Sequence, residues 1–464
     1  MSIVLKLRRL SYEPPMPPSS PALSWLPALA LVLGLALAAG PPALAAPDPA
    51  AAAAIFAEAR SICDRDAGHL WGRTLCGPIL LVDPNDRAIV ASHADAGGAV
   101  KADGPVFTGT LPASEILANT PIEWSGRRWT ELMWPLHHFG DGDGYDETAK
   151  RRVMLAHELF HRIQPDLKLT RPEGGNWHLD SFEGRYLLQL EWRALARALQ
   201  AKSAKARRGA IADALLFRHE RYRLFPQAAA EEASLEINEG VPEYTGVRLG
   251  LTTPQERVRY AVYDLSVFVT TPSFVRSFAY ATGPAYGLLL DQADPKWRGK
   301  LGSGRGLDQL LGAALRLAEP APARLEAREA AYDDGTLRAS EQTRDTARRA
   351  RLAALKARLV DGPVLTLSMS HANYQFNPQT LQPLDAFGIV YPTLRLSGAW
   401  GVLEVDGGAL VDKDMTVATV SAAGAEPPYL KGDGWRLSLN SGWTVQPGAR
   451  KGDLAVKPAE GAGH

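Results

Sequence analysis

With 464 residues, 46% of them apolar and 22% charged, the chain has the composition of an ordinary globular protein and can bury one sizeable core plus a second, smaller one. Lys plus Arg and Asp plus Glu balance at 51 each. No excess of positive charge exists to neutralise a phosphate backbone, so nucleic acid is not an expected partner.

The N-terminal segment has the order of a secretory signal. Lys6, Arg8 and Arg9 precede a Pro/Ser-rich stretch, an apolar run from Trp25 to Ala39 follows, and Ala43-Leu44-Ala45 supplies an A-x-A cleavage site. The run is 15 residues long, short of the roughly 20 needed to cross a hydrocarbon core, and no charged stop-transfer cluster follows it. Residues 1–46 are therefore expected to be removed, leaving no stable membrane span and an exported protein, periplasmic or extracellular. Translation from Met16 would shorten the segment but strip away its basic residues. Cys63 and Cys76 are the only cysteines. In an oxidising compartment a disulfide closing a short loop is the natural reading, with two buried thiols as the alternative.

Past the signal, Ala50 to Arg60 reads as an alanine-rich helix. Short apolar or alternating runs then predict strands at Ile79 to Val82, Ala88 to Ser92, Val106 to Thr110, Ile122 to Ser125 and Trp129 to Trp134. Residues 47–147 thus form a β-rich part and residues 148–360 a helical part, with breaks at Asp166, at Arg171 to Gly175, at Lys202 to Arg208 and at Phe225-Pro226. Ala327 to Arg358 is dense in charges of both signs, as expected of one long solvated helix. Strand-like runs return at Val364 to Met369, Thr393 to Ser397, Val402 to Val405 and Trp435 to Leu439, giving a C-terminal β-rich module over 361–455 and a disordered tail over 456–464. The expected fold class is α+β: a mixed sheet, a mainly helical body and the β-rich module.

His157-Glu158-Leu159-Phe160-His161 carries the chemistry. Residues four apart on a helix lie about 40° apart around its axis, so the two imidazoles face one way and can share a metal ion. Glu158, beside the first histidine, is offset enough to miss the ion yet reach a water on it, where a general base belongs. Asp146 and Thr148 offer capping side chains, Pro165 marks the end, and Val153, Ala156, Phe160 and Ile163 supply an apolar face. The expected cofactor is Zn2+, which in a catalytic site needs a third protein ligand and an open position. Position 167 is leucine, so no third histidine follows at metzincin spacing.

The third ligand must come from elsewhere, and Ile237 to Tyr244 places carboxylates in a short helix-like stretch downstream. Here the chain resembles the gluzincin group of zinc metallopeptidases, in which a second helix contributes a glutamate, often in an N-E-G context. That context is Asn238-Glu239-Gly240. The resemblance implies a zincin-like fold, His157, His161 and Glu239 as ligands, and Glu158 as base and proton shuttle. It covers these two motifs alone. The interval between them is long and must hold extra helices, and Pro242 requires that Glu239 to Pro242 lie in a helical first turn. Glu191, mid-helix and nearer in sequence, is the alternative ligand. Its structural alternative is an ion pair with Arg193 or Arg185.

A tetrahedral oxyanion also needs a second donor. Candidates are His178, Tyr244, Arg276, Tyr280 and Tyr286, the last three around a turn at Thr282-Gly283-Pro284; each tyrosine could equally be a hydrogen-bonded core aromatic. The strand Trp129 to Trp134, entering the loop before the motif helix, is the expected sheet edge for a bound peptide. His137-His138 and the run Asp141 to Asp146 attract attention, but the acidic run lacks the order of a calcium loop and reads as a turn with a helix cap. The expected function is that of an exported zinc peptidase acting on proteins or peptides. The alternatives are a zinc hydrolase of another amide or ester, or a non-catalytic metal-containing binding protein.

Overall fold

The computed structural model describes residues 48–459, except 113, 137–143, 173, 319–321, 377–379, 385 and 426–429. The expected signal segment, His137-His138 and Asp141 to Asp143 lie outside the described residues. No described helix is long and apolar enough to cross a membrane. The fold is α+β: eleven α-helices and three sheets among the described residues.

Helix α1 (Pro49–Asp66) leads into six strands: β1 (Ile79–Val82), β2 (Ala88–Ala91), β3 (Lys101–Asp103), β4 (Val106–Thr110), β5 (Thr120–Trp124) and β6 (Arg127–Met133). They form one sheet in the order β3-β4-β2-β1-β6-β5, antiparallel except for the parallel β1–β6 pair. Alternation splits β1 between two cores: Ile79 and Leu81 face the helices, while Leu80 and Val82 join Ile89, Trp124 and Trp129 on the other side. The expected edge strand is an inner one. β6 pairs with β1 on one side and β5 on the other, so β5 forms the edge; local pattern cannot reveal a parallel pairing made with a strand some fifty residues away. Cys63 and Cys76 are joined as a disulfide, their Cα atoms 5.2 Å apart.

The helical body comprises α2 (Glu147–Ile163), α3 (Phe182–Gln200), α4 (Ala204–Leu224), α5 (Ala228–Leu235), α6 (Val241–Gly250), α7 (Pro254–Val267), α8 (Phe278–Ala293), α9 (Leu307–Ala314), α10 (Leu325–Tyr332) and α11 (Thr336–Lys356). Asp146 caps α2 by accepting from the Thr148 and Ala149 amides. Val153, Ala156, Phe160 and Ile163 are all buried, together with Leu155 and Leu159, because α2 is covered on more than one side. α6 lies tightly along α2: a side chain at Gly246 would overlap the Val153 carbonyl, so the glycine permits the approach.

Three expectations need correction. Thr282-Gly283-Pro284 is no turn but lies within α8, whose near-complete burial overrides the local turn signal. Ala327 to Arg358 is broken at Asp333 to Gly335 into α10 and α11, and α11 is not wholly solvated, since its Glu341 is buried against Arg185 and Gln189 of α3. Leu454–Pro458, assigned from composition to the C-terminal module's last residues and a disordered tail, forms a strand paired with Trp443–Pro447 and Val364–Ser368. The C-terminal region holds a seven-stranded and a five-stranded sheet. Leu367 and Val420 of the first share a core with Leu396, Leu403 and Leu437 of the second.

Candidate metal centre

α2 presents His157 and His161 one turn apart, their Nε2 atoms 2.9 Å from each other. The chain then runs through α3 to α5 and returns in a π-helical turn, Glu236–Gly240, that continues into α6. Pro242 does not open a helix as expected: the chain is helical without a break from Ala228 to Gly250, and the Asn238 carbonyl, four residues before Pro242, accepts from Gln164 Nε2 instead. Glu239 projects from the π turn, and its Oε2 lies 3.6 Å from each histidine Nε2. Bonds of about 2.0–2.2 Å to one tetrahedral ion separate neighbouring donors by roughly 3.4 Å; the two 3.6 Å separations are close to that, and the 2.9 Å between the imidazoles is shorter. Two imidazoles and a carboxylate are also a donor set that catalytic zinc uses.

Both rings are aimed from behind. His157 Nδ1 is 2.6 Å from Glu243 Oε2, and His161 Nδ1 is 2.8 Å from Gln164 Oε1. With each Nδ1–H donated backwards, each Nε2 lone pair points to the common centre. Gln164 is held in turn, donating through Nε2 to the carbonyls of Leu169 and Ile237. The π turn is pinned from a third direction, since a side chain at Gly283 would overlap the Gly240 backbone and one at Gly240 would sit tightly against the Ala279 carbonyl. That contact brings Tyr280 of α8 against the site: its hydroxyl donates to Glu239 Oε2 at 2.8 Å, and its ring stacks on His157 with centroids 5.6 Å apart. Arg276 Nη2 reaches Glu239 Oε1 at 3.3 Å.

The electrostatics follow from this crowding. Burial disfavours a charge on His157, yet Glu239 and Glu243 outweigh it and push its pKa up to about 10. Burial also works against ionisation of Glu239, but the two imidazoles hold its carboxyl well below the ordinary range. His157 by itself thus holds a second proton at Nε2, which a cation bound between the imidazoles would displace. Glu158 is 8% exposed, and its Oε2 has no hydrogen-bond partner among the described residues. Burial raises its pKa, with the imidazoles opposing. It lines, with His157, Glu243 and Tyr280, a cleft of about 300 Å³.

The remaining sequence candidates lie elsewhere. Glu191 is fully buried and bonded to Arg218 at 2.8 Å, Arg221 at 2.7 Å and the Tyr286 hydroxyl at 2.8 Å. It does pair with arginine, but with neither Arg185 nor Arg193. Tyr286 therefore faces the ionic core of the helical body. Tyr244 donates to Asp291 at 2.9 Å, and His178 is 2.8 Å from Glu232 through Nε2. Of the five oxyanion candidates, the fold brings Tyr280 and Arg276 to the histidines and takes His178, Tyr244 and Tyr286 away. Sequence reasoning missed Glu243 and Gln164 as supports, although Glu243 follows Glu239 by one helical turn and Gln164 follows His161 by three residues.

Compared with family models, curated proteins and solved structures, the chain finds no match. What can be said of the site rests on its own geometry.

Proposed function

We propose that this protein is a zinc-dependent hydrolase of the gluzincin type that cleaves peptide bonds, with His157, His161 and Glu239 holding the ion and Glu158 as general base. The observation that carries the reading is the convergence of three donor atoms beside a buried carboxyl, Glu158, whose Oε2 has no hydrogen-bond partner among the described residues and which opens on a cleft. When bound, such an ion lowers the pKa of a coordinated water to about 7 and polarises a carbonyl. Glu158 takes the proton of the attacking water and delivers it to the leaving amine; its raised pKa suits both steps. Tyr280 keeps its proton, since burial and the Glu239 carboxylate push its phenol well above the ordinary range. That proton is donated to Glu239, as is one of Arg276, so both residues position the ligand carboxylate and become donors to a developing oxyanion only by turning from it. The N-terminal segment and the disulfide support export to an oxidising compartment.

A second reading, hydrolysis of a smaller amide or ester, draws support from the modest cleft and from the inner position of β6. One experiment addresses both: metal analysis with hydrolysis of a peptide library and of small acyl amides and esters, on wild type and Glu158→Gln. The variant is expected to retain one zinc per chain and lose about 10²–10⁴ in kcat. Equal turnover by both proteins would remove Glu158, and with it the hydrolase reading.

A further inference from the structure

The cleft does not end at His157. From His157 it runs back along α2 past Val153 to Lys150 and is closed on its other side by α7, where Tyr260, Tyr263 and Asp264 line it. Asp264 is 3% exposed, and its Oδ2 has no hydrogen-bond partner among the described residues. The cations on the same cleft are engaged: Lys150 Nζ is 3.2 Å from Glu147, and Arg276 is bonded to Glu239. A buried carboxylate left without a counter-charge is costly, and it persists where a ligand supplies the missing partner. Burial and the neighbouring Glu243 carboxylate push the Asp264 carboxyl well above its ordinary range, so Asp264 by itself holds a proton that a bound cation would displace. Tyr260 and Tyr263 stand beside it, ring centroids 5.6 Å apart; Tyr145 stacks on Tyr263 at 4.2 Å, and Lys150 Nζ already lies 5.6 Å from the Tyr263 centroid, the kind of contact tyrosine rings make with cations.

We infer that Asp264 and the two tyrosines form a cation subsite that selects peptides carrying a lysine or arginine side chain close to the scissile bond. This rests on the hydrolase reading for its setting, but the subsite can be tested without turnover. Butylguanidine and butylamine, with butanol as neutral control, are titrated against the full-length wild-type protein and Asp264→Asn. Saturable binding of the cations to wild type, weakened at least tenfold in the variant and absent for butanol, is expected. No binding to folded wild type, or equal binding to a variant that melts like wild type, overturns the inference whatever the protein hydrolyses.

Turnover supplies the second arm. Matched peptides with Arg, Lys, norleucine or Glu at each position flanking the scissile bond, N-acetylated or free, are compared by kcat/KM. At one position the basic peptides should exceed norleucine by at least tenfold, and that ratio should collapse in Asp264→Asn. Preference confined to peptides with a free amino terminus would assign the cation to the chain end. Hydrolysis dependent on Glu158 but indifferent to charge would sink the subsite and leave the hydrolase standing. Cation binding without Glu158-dependent hydrolysis would do the reverse.

Discussion

Glu243 and Gln164 decide which way the imidazoles face, and supports of this kind are usually worth 10–100-fold in metal affinity. Glu243→Ala is accordingly expected to weaken zinc binding by about that factor in a chelator competition; unchanged affinity would mean that His157 is oriented by packing alone. A sharper contrast sets Glu239 against Glu191. Glu239→Ala should lose zinc and keep its fold. Glu191→Ala should keep zinc but lose about 3–5 kcal/mol of stability in denaturant unfolding, because it strips a partner from the buried Arg218 and Arg221. Full metal content in Glu239→Ala would end its candidacy as a ligand. At this scale the histidines and Glu158 were legible because helical periodicity alone turns His157 and His161 the same way. The other acids were harder: the N-E-G context favours Glu239 over Glu191, but what occupies Glu191 is set by the long-range placement of Arg218 and Arg221. Asp264 carries no local signal at all, since its meaning lies in what does not touch it.

Between the two histidines and their carboxylate stands an element that no propensity announces. On a regular α-helix, at about 100° per residue, Glu236 and Glu239 would lie within roughly 60° of each other and face the same way. The π turn spreads them, so Glu236 pairs with Arg218 at 2.6 Å in the body while Glu239 meets the imidazoles. The close backbone contact of Gly240 with Gly283 holds that turn against α8. Gly283→Ala is therefore expected to destabilise the protein by about 1–3 kcal/mol and to loosen zinc, with both read on one sample by unfolding and metal content. A variant as stable as wild type would show that α8 can shift aside freely. Strands β1 and β4, the whole of α2 and the module strand at Trp435–Leu439 were readable from pattern, because alternation and caps are local. The place of β6 inside its sheet and the breaking of Ala327 to Arg358 were not, because both are set by partners distant in sequence.

For the molecule as a whole, one buried acid links stability to pH. Glu131 on β6 is inaccessible to solvent, and burial lifts its pKa from an ordinary 4.5 to about 7, with the Ala118 amide and Arg87 pulling the other way and Glu115 adding to the rise. The folded state thus binds a proton that the unfolded chain has released between those values. Its contribution is full below about pH 4.5 and is lost as pH rises through 7. Glu131→Gln should consequently raise the melting temperature at pH 8 and leave it little changed at pH 4; a uniform shift at both would sink this account. The broad architecture followed from composition and periodicity. The assembly of the centre did not, because its parts come from α2, the π turn and α8.

The double anchorage of that turn has a thermodynamic corollary. Glu236 and Glu239 share one five-residue turn, so the ionic cluster in the interior and the proposed hold on a cation would be linked, and linkage runs equally in both directions. A substitution at Arg218, out of reach of any substrate, should surface as a weaker metal dissociation constant, and loading the ion should slow amide hydrogen exchange deep in α4.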